Sequence, residues 1–322
     1  MSKTMVNTVL GPVSSANLGA ILPHEHLIFA TPGYETDSTL CCDREERLMT
    51  AIDALKKLKA AGISTFVDNT PIDMGRQVDF MADASKGSGV NIICATGLYT
   101  ERGHLSGFPT YYKFRRMEEI AEIYIEEITH GIGPRKIKPG VIKCATGGPK
   151  EFLENERKAF VAAARAHKAT GVPITTHTTN GLGPEQLDLL EAEGVDPRRV
   201  IIGHCCYPTD MTHHLKILKR GAFIGLDRIG GFVSDELMTA MIVGLVSVGY
   251  GRQILISHDH VLWRIGYTSK TLMPDWTEEE ESQRRWTYIP ETFLPKLKRF
   301  GVSEEAIRTI TMENPRRFFE GG

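Results

Sequence analysis

The chain has 322 residues, 41% of them apolar and 24% charged, with a formal net charge of -2. That is the balance of a globular protein with ample material for a buried core. It carries no basic field of the kind that nucleic acid or an anionic membrane surface demands, and no run reaches the ~18 apolar residues of a spanning helix. The segment from Met1 to Gly11 lacks the apolar centre of a secretory signal. The six cysteines, Cys41, Cys42, Cys94, Cys144, Cys205 and Cys206, form neither a disulfide framework nor a CxxC knuckle. The cytoplasm is therefore the expected compartment.

Short β-branched runs alternate with longer helical stretches along the chain. Ile21 to Phe29 is the first expected strand. Arg44 to Ala61 follows as a helix with Leu48, Ile52, Leu55 and Leu58 on one face, stopped by Gly62. Strands are expected at Ser64–Asp68, Asn91–Ala95, Gly140–Cys144, Pro173–His177, Arg199–His204, Ala222–Asp227 and Gln253–Asp259. Helices fill the intervals at Gly75–Gly87, Met117–His130, Glu151–Thr170, Pro184–Glu193, Met211–Arg220 and Ser234–Val248. Such a succession matches a (β/α)8 TIM barrel, an α/β fold that takes ~250 residues before insertions. A doubly wound open sheet would carry a Gly-rich phosphate loop after its first strand, and none is present. No repeat, low-complexity tract or linker divides the chain, so residues 1–322 are expected to form one domain. The longest segment without expected structure is His260 to Glu281, with a solvated helix start at Glu278–Glu281.

Pro23-His24-Glu25-His26 sits near the end of the first strand, where alternation puts both imidazoles on one side. Taken alone, such a pair reads as packed or surface histidine. The remaining strand ends supply Lys143, His177, His204 and Asp259, at the barrel face where catalytic residues collect. Parity agrees, since Thr175 with His177, Ile202 with His204 and Ser257 with Asp259 are each two apart. Imidazoles and a carboxylate suit zinc, manganese, cobalt or iron. Lys143 does not fit as an ammonium. It is either a lysine reaching solvent or a neutral amine that captures carbon dioxide to become a carbamate able to bridge two metals.

The stretches Leu22-Pro23-His24-Glu25-His26, Ala95-Thr96-Gly97-Leu98-Tyr99, Val141-Ile142-Lys143-Cys144-Ala145-Thr146, Thr176-His177-Thr178, Ile202-Gly203-His204-Cys205, Ile224-Gly225-Leu226-Asp227-Arg228 and Ser257-His258-Asp259 resemble the phosphotriesterase family of amidohydrolase-superfamily barrels. The match runs in order from Val9 to the closing Glu313–Phe319. The resemblance implies a binuclear centre with two divalent metal ions, zinc first among the candidates. His24, His26 and Asp259 would hold the buried ion and His177 and His204 the exposed one. N6-carboxylated Lys143 and a hydroxide would bridge them. Asp259 would also accept and shuttle the proton. Tyr99 and Arg228 stand where the phosphotriesterase-like lactonases carry tyrosine and arginine and the organophosphate triesterases carry tryptophan and histidine. Tyr99 would bond the bridging hydroxide or the lactone ring oxygen. Arg228 would brace the loops or the leaving group.

The expected function is thus a lactonase in which a metal-bridging hydroxide attacks the ring, with N-acyl-homoserine lactones as candidate substrates. That would be a quorum-quenching activity, with phosphotriesters as side substrates. The alternatives are an organophosphate triesterase (aryldialkylphosphatase), an amidase on the same site, a mononuclear deaminase barrel and a metal-stabilised binding protein. A homodimer is what the resemblance implies. Segments 101–115 and 229–235 and the Leu40–Asp43 approach depart from the lactonase pattern. Leu262, Trp263, Ile265, Tyr267, Leu272, Met273 and Trp276 offer either an acyl-chain pocket or packing onto the barrel or a partner.

Overall fold

The computed structural model describes residues 4–321 apart from 41–42, 103–107, 149–150, 179–180, 208–209, 232 and 267–284. A hairpin of β1 (Met5–Thr8) and β2 (Gly11–Ser14) precedes the main sheet. The sheet's strands are β3 (Ala20–Ala30), β4 (Ile63–Asp68), β5 (Asn91–Gly97), β6 (Val141–Thr146), β7 (Ile174–Thr178), β8 (Val200–Ile202), β9 (Phe223–Leu226) and β10 (Ile254–Ile256). They pair in parallel in sequence order, and β11 (Val261–Ile265) continues from β10 to pair with the second half of β3. Asp259 N donates to His24 O at 3.1 Å and His26 N donates to His260 O at 3.0 Å. The chain leaving β10 is thereby sewn to β3, and the ring closes. This is a TIM barrel.

The helices that cover the ring are α1 (Arg44–Ala60), α2 (Val78–Ser88), the short α3 (Thr110–Lys113), α4 (Met117–Thr129), α5 (Glu154–Thr170), α6 (Gly183–Ala192), α7 (Met211–Leu218) and α8 (Asp235–Ser247). Apart from α3, which lies in a stretch expected to be loop, their boundaries fall within a few residues of those expected. In α1, Asp43 caps two backbone N–H groups, Glu45 and Glu46 lie in the first turn, and Lys57 and Lys59 lie in the last. Both ends complement the helix dipole.

Period-two alternation sorts the strand residues into two apolar layers. Leu22, Phe66, Ile92, Ile142, Ile202, Ile224 and Ile256 face outward into the helical layer. Ile21, Val67, Ile93, Val141, Ile201, Phe223 and Leu255 fill the lumen with Phe318 and Phe319 of the last helix, Asn314–Glu320. This aromatic plug and the hairpin close the N-terminal end of the barrel. The C-terminal end is left for polar groups.

Further features differ from the sequence reading. The run Val261–Ile265, expected to be loop, is a strand because the upper half of β3 offers it an unpaired edge. Leu262, Trp263 and Ile265 pack into the outer layer, where Arg47 lies 5.5 Å from the Trp263 ring. Tyr267, Leu272, Met273 and Trp276, the helix start at Glu278–Glu281 and the Cys41–Cys42 pair lie outside the described residues. The hairpin from Met5 to Ser14 had no sequence expectation.

Gly97 shows how tightly β5 and β6 meet. It has φ +112° and pairs with Lys143, and an added Cβ would stand 1.8 Å from Lys143 O. Substituting Gly97 by alanine is expected to destabilise the fold by at least about 2 kcal/mol, because a backbone carbonyl cannot swing aside. Chemical denaturation of the variant checks this. A loss within error of zero would mean that the two strands can separate freely.

Candidate metal centre

Three features bring the ligand candidates to the open end of the barrel. The first is an irregularity in β3. Alternation counted from the inward Ile21 would point His24 outward. The pairing of β3 with β4 shifts between Leu22 and Glu25, across Pro23, which has no N–H for a ladder. That shift turns His24 and His26 into the cavity. The second is regular alternation, which places Lys143 on the lumen side with Val141. The third is left-handed backbone at His204 (φ 55°) and Asp259 (φ 52°), a conformation uncommon outside glycine. Ile202 faces the helices, so strand parity with Ile202 would aim His204 the wrong way. The kink beyond the strand end corrects it.

Among the resulting contacts, His24 Nε2 lies 3.1 Å from Lys143 Nζ and 3.7 Å from Asp259 Oδ1. His26 Nε2 is 3.3 Å from the same Oδ1, and His204 Nε2 is 4.0 Å from Asp259 Oδ2. His177 Nδ1 faces His204 Nε2 at 2.7 Å and the Tyr99 hydroxyl at 3.3 Å. Arg228 donates from Nε to Asp259 Oδ2 at 3.1 Å. All eight residues singled out in the sequence therefore meet in one place.

The residue that arranges them went unassigned in the sequence. Asp227, buried at the end of β9, takes His24 Nδ1 at 2.7 Å on one oxygen and His204 Nδ1 at 2.8 Å on the other. Its carboxylate also accepts the backbone N–H of His204 at 3.0 Å. Both imidazoles thus carry their proton on Nδ1 and turn a lone pair on Nε2 toward the cavity. His26 Nδ1 meets Thr70 Oγ1 at 2.8 Å in the same manner. The sequence signal available was a carboxylate ending an apolar strand, two residues after a glycine.

Charge follows geometry. Burial, with the neighbouring Lys143 charge, pushes His24 down to about 3. Burial likewise lowers His177 and His204, so these rings are neutral donors. At Asp227 burial opposes ionisation, but the His204 and His24 rings outweigh it and hold the carboxyl well below its usual range. Asp259 stays ionised despite burial because of Arg228 and the surrounding imidazoles. Burial brings the Lys143 ammonium down to about 8 against the pull of Asp259 and Asp227. His24, His204 and Asp259 present ligand atoms all within 4.8 Å of one another. Neutral imidazoles with a carboxylate, each oriented by a second bond, fit a divalent cation.

Further out, Glu25 is fully buried between the two histidines. Its Oε1 accepts from Ser257 Oγ, His258 N and His258 Nδ1 at 2.7–2.8 Å, and its Oε2 accepts from His260 N at 3.0 Å. Asp73 accepts the Tyr99 backbone N–H on both oxygens, at 3.0 and 3.2 Å. Neither was marked in the sequence, since both act across the fold.

A parallel eight-stranded barrel with buried imidazoles and a carboxylate at its C-terminal rim is the arrangement of a metal-dependent enzyme. The phosphotriesterase family model matches residues 4–319, and the chain belongs to that family. It is 33% identical to a phosphotriesterase homology protein of Mycobacterium tuberculosis, over 98% of this chain and 97% of that protein. It is 34% identical to the aryldialkylphosphatase of Saccharolobus solfataricus, over 95% and 96% of the respective chains. Among solved structures, a variant of a PTE-like lactonase from Deinococcus radiodurans superposes with a TM-score of 0.88 at 37% identity, covering 98% of this chain and 99% of that one. Members of the family are binuclear metal hydrolases.

Asp73 supplies a test of the site's electrostatics. Burial raises its carboxyl from 3.8 to about 7. Between those values the folded chain keeps a proton that the unfolded chain releases, so stability falls as pH rises through the window and levels off above it. Asp73→Asn removes that loss. The melting temperature of the variant relative to the parent should rise between about pH 4 and about pH 8. A constant offset would contradict the raised carboxyl.

Proposed function

We propose that the chain, as one domain, is a lactone hydrolase that turns over phosphotriesters as a side activity. The observation that carries this reading is the pair Tyr99 and Arg228. The tyrosine hydroxyl lies against His177 and the guanidinium against Asp259. The resemblance associates these two residue types with the lactonase branch, and a structural neighbour is a PTE-like lactonase. Two divalent ions, with zinc first among the candidates by the family resemblance, would be held by His24, His26 and Asp259 on one side and His177 and His204 on the other. When bound they would lower the pKa of water and polarise the substrate's carbonyl oxygen.

The chain's own groups then divide the work. Asp259 takes the proton of the attacking water at an Oδ atom and, being a weak base beside Arg228, passes it on rather than keeping it. Arg228 keeps that carboxylate aimed and places positive charge where the ring-opening alkoxide develops. Tyr99 brings a hydroxyl to the ring oxygen or the reacting water. Lys143, with an ammonium lowered to about 8, has a neutral amine available. Attack of its nitrogen on carbon dioxide releases one proton and leaves a carbamate. That gives the site a second anionic ligand with two oxygens. The aryldialkylphosphatase relative favours a second reading in which the phosphotriester is the main substrate, since a phosphoryl centre presents related charge to the same groups. A homodimer in the cytoplasm, where the free and buried Cys94, Cys144, Cys205 and Cys206 stay reduced, completes the proposal.

Two measurements test it. The ratio of kcat/KM for γ- and δ-lactones over an aryl dialkyl phosphate should be about two orders of magnitude or more. The reverse ratio would transfer the assignment to organophosphate triesterase, and failure on both would direct the search to amides. Lys143→Ala should bind metal at least about tenfold more weakly and regain part of its activity when a short carboxylic acid is added. Retention of two ions per chain in that variant would remove the carbamate.

A further inference from the structure

Arg228 does not hold its orientation alone. Its Nε rests on Asp259, but a guanidinium fixed at one nitrogen can still pivot. The far end of the group is met by one residue twice. The Tyr207 hydroxyl is hydrogen-bonded to Arg228 Nη1, and the Tyr207 ring lies 4.7 Å from the guanidinium carbon. Hydrogen bond and cation–π contact together define both the direction and the plane of the fork. Tyr207 is itself placed by the turn that presents His204. Its N–H reaches His204 O at 3.4 Å, and Cys205 N is bonded to Gly225 O at 2.9 Å. The residue is 46% exposed, so it stands at the rim.

We propose that Tyr207 is a positioning residue for the reaction, fixing the Arg228 guanidinium over Asp259. It thereby couples the turn after β8 to the charge delivered after β9. This rests on the reading that Arg228 serves the hydrolysis. Because the clamp acts through Arg228, its loss falls on the chemical step rather than on substrate capture.

The test is a double-mutant cycle on the metal-loaded enzyme with its best lactone. Tyr207→Leu should lower kcat about tenfold with KM changed less than about twofold, and Tyr207→Phe, which keeps the ring, should lose only part of that. In an Arg228→Lys background, Tyr207→Leu should change kcat by less than about twofold, since an ammonium has neither a fork nor a planar face. The Arg228 Nε–H should also exchange with water faster in Tyr207→Leu, as followed by arginine-selective NMR. Equal losses in both backgrounds would overturn the proposal while leaving Arg228 in its role. An Arg228→Lys enzyme with unchanged kcat on every ester would overturn the role of Arg228 and the proposal with it. A melting temperature unaltered in Tyr207→Phe and Tyr207→Leu excludes a merely structural effect.

Discussion

The site depends on one buried carboxylate holding two imidazoles. Asp227 bonds His24 and His204 through their Nδ1 atoms, and those two contacts decide which nitrogen of each ring is left as a donor. An isolated carboxylate at such depth would be driven to protonate. Here the two N–H groups and the His204 backbone keep it charged. The surroundings are shaped around it as well. A Cβ at Gly225 would stand 2.9 Å from Asp227 Oδ2, so the strand leading to the carboxylate is kept bare on that side.

Around this centre the barrel separates stability from chemistry. The lower lumen is apolar and stoppered by Phe318, whose ring lies 6.1 Å from that of Phe223. Ser15 Oγ donates to Glu320 Oε1 at 2.7 Å, tying the segment after the hairpin to the same helix. The upper lumen is polar, and several of its side chains are bonded across strands. On the helical side of the sheet, Gln186 of α6 braces the strand end that carries His177: it bonds Thr178 Oγ1, Thr146 Oγ1 and the His177 carbonyl at 2.8–2.9 Å. Such a network fixes the strand end that carries the histidine and leaves its ring to face the cavity.

Much of this was legible in the sequence, and the gaps have physical causes. The alternation of β-branched runs with amphipathic helices gave the barrel, because both periodicities are local. His24 and His26 stood out by their spacing, Lys143 and His177 by their place at strand ends. For His204 the residue was found but the reason was not: parity with the outward Ile202 would aim it away, the left-handed backbone turns it back, and no short pattern announces that. Asp259 shares the inward parity of Leu255. Asp227, Thr70, Asp73 and Tyr207 were missed because their partners lie tens to hundreds of residues away. β11 was read as loop because a strand exists only where another offers an edge, and that edge belongs to residues 26–30.

The seam between the first and last strands of the ring has a temporal meaning. Glu25 and His260, joined across it, are separated by 235 positions in the chain. His24 and His26 emerge early in synthesis, yet their companion Asp259 arrives only when most of the polypeptide has been made. Closing so long a loop is entropically costly and tends to come late in folding. A partly made chain therefore owns isolated histidines but no assembled site. Reactive capacity appears together with closure of the ring, so unfinished molecules are silent by construction.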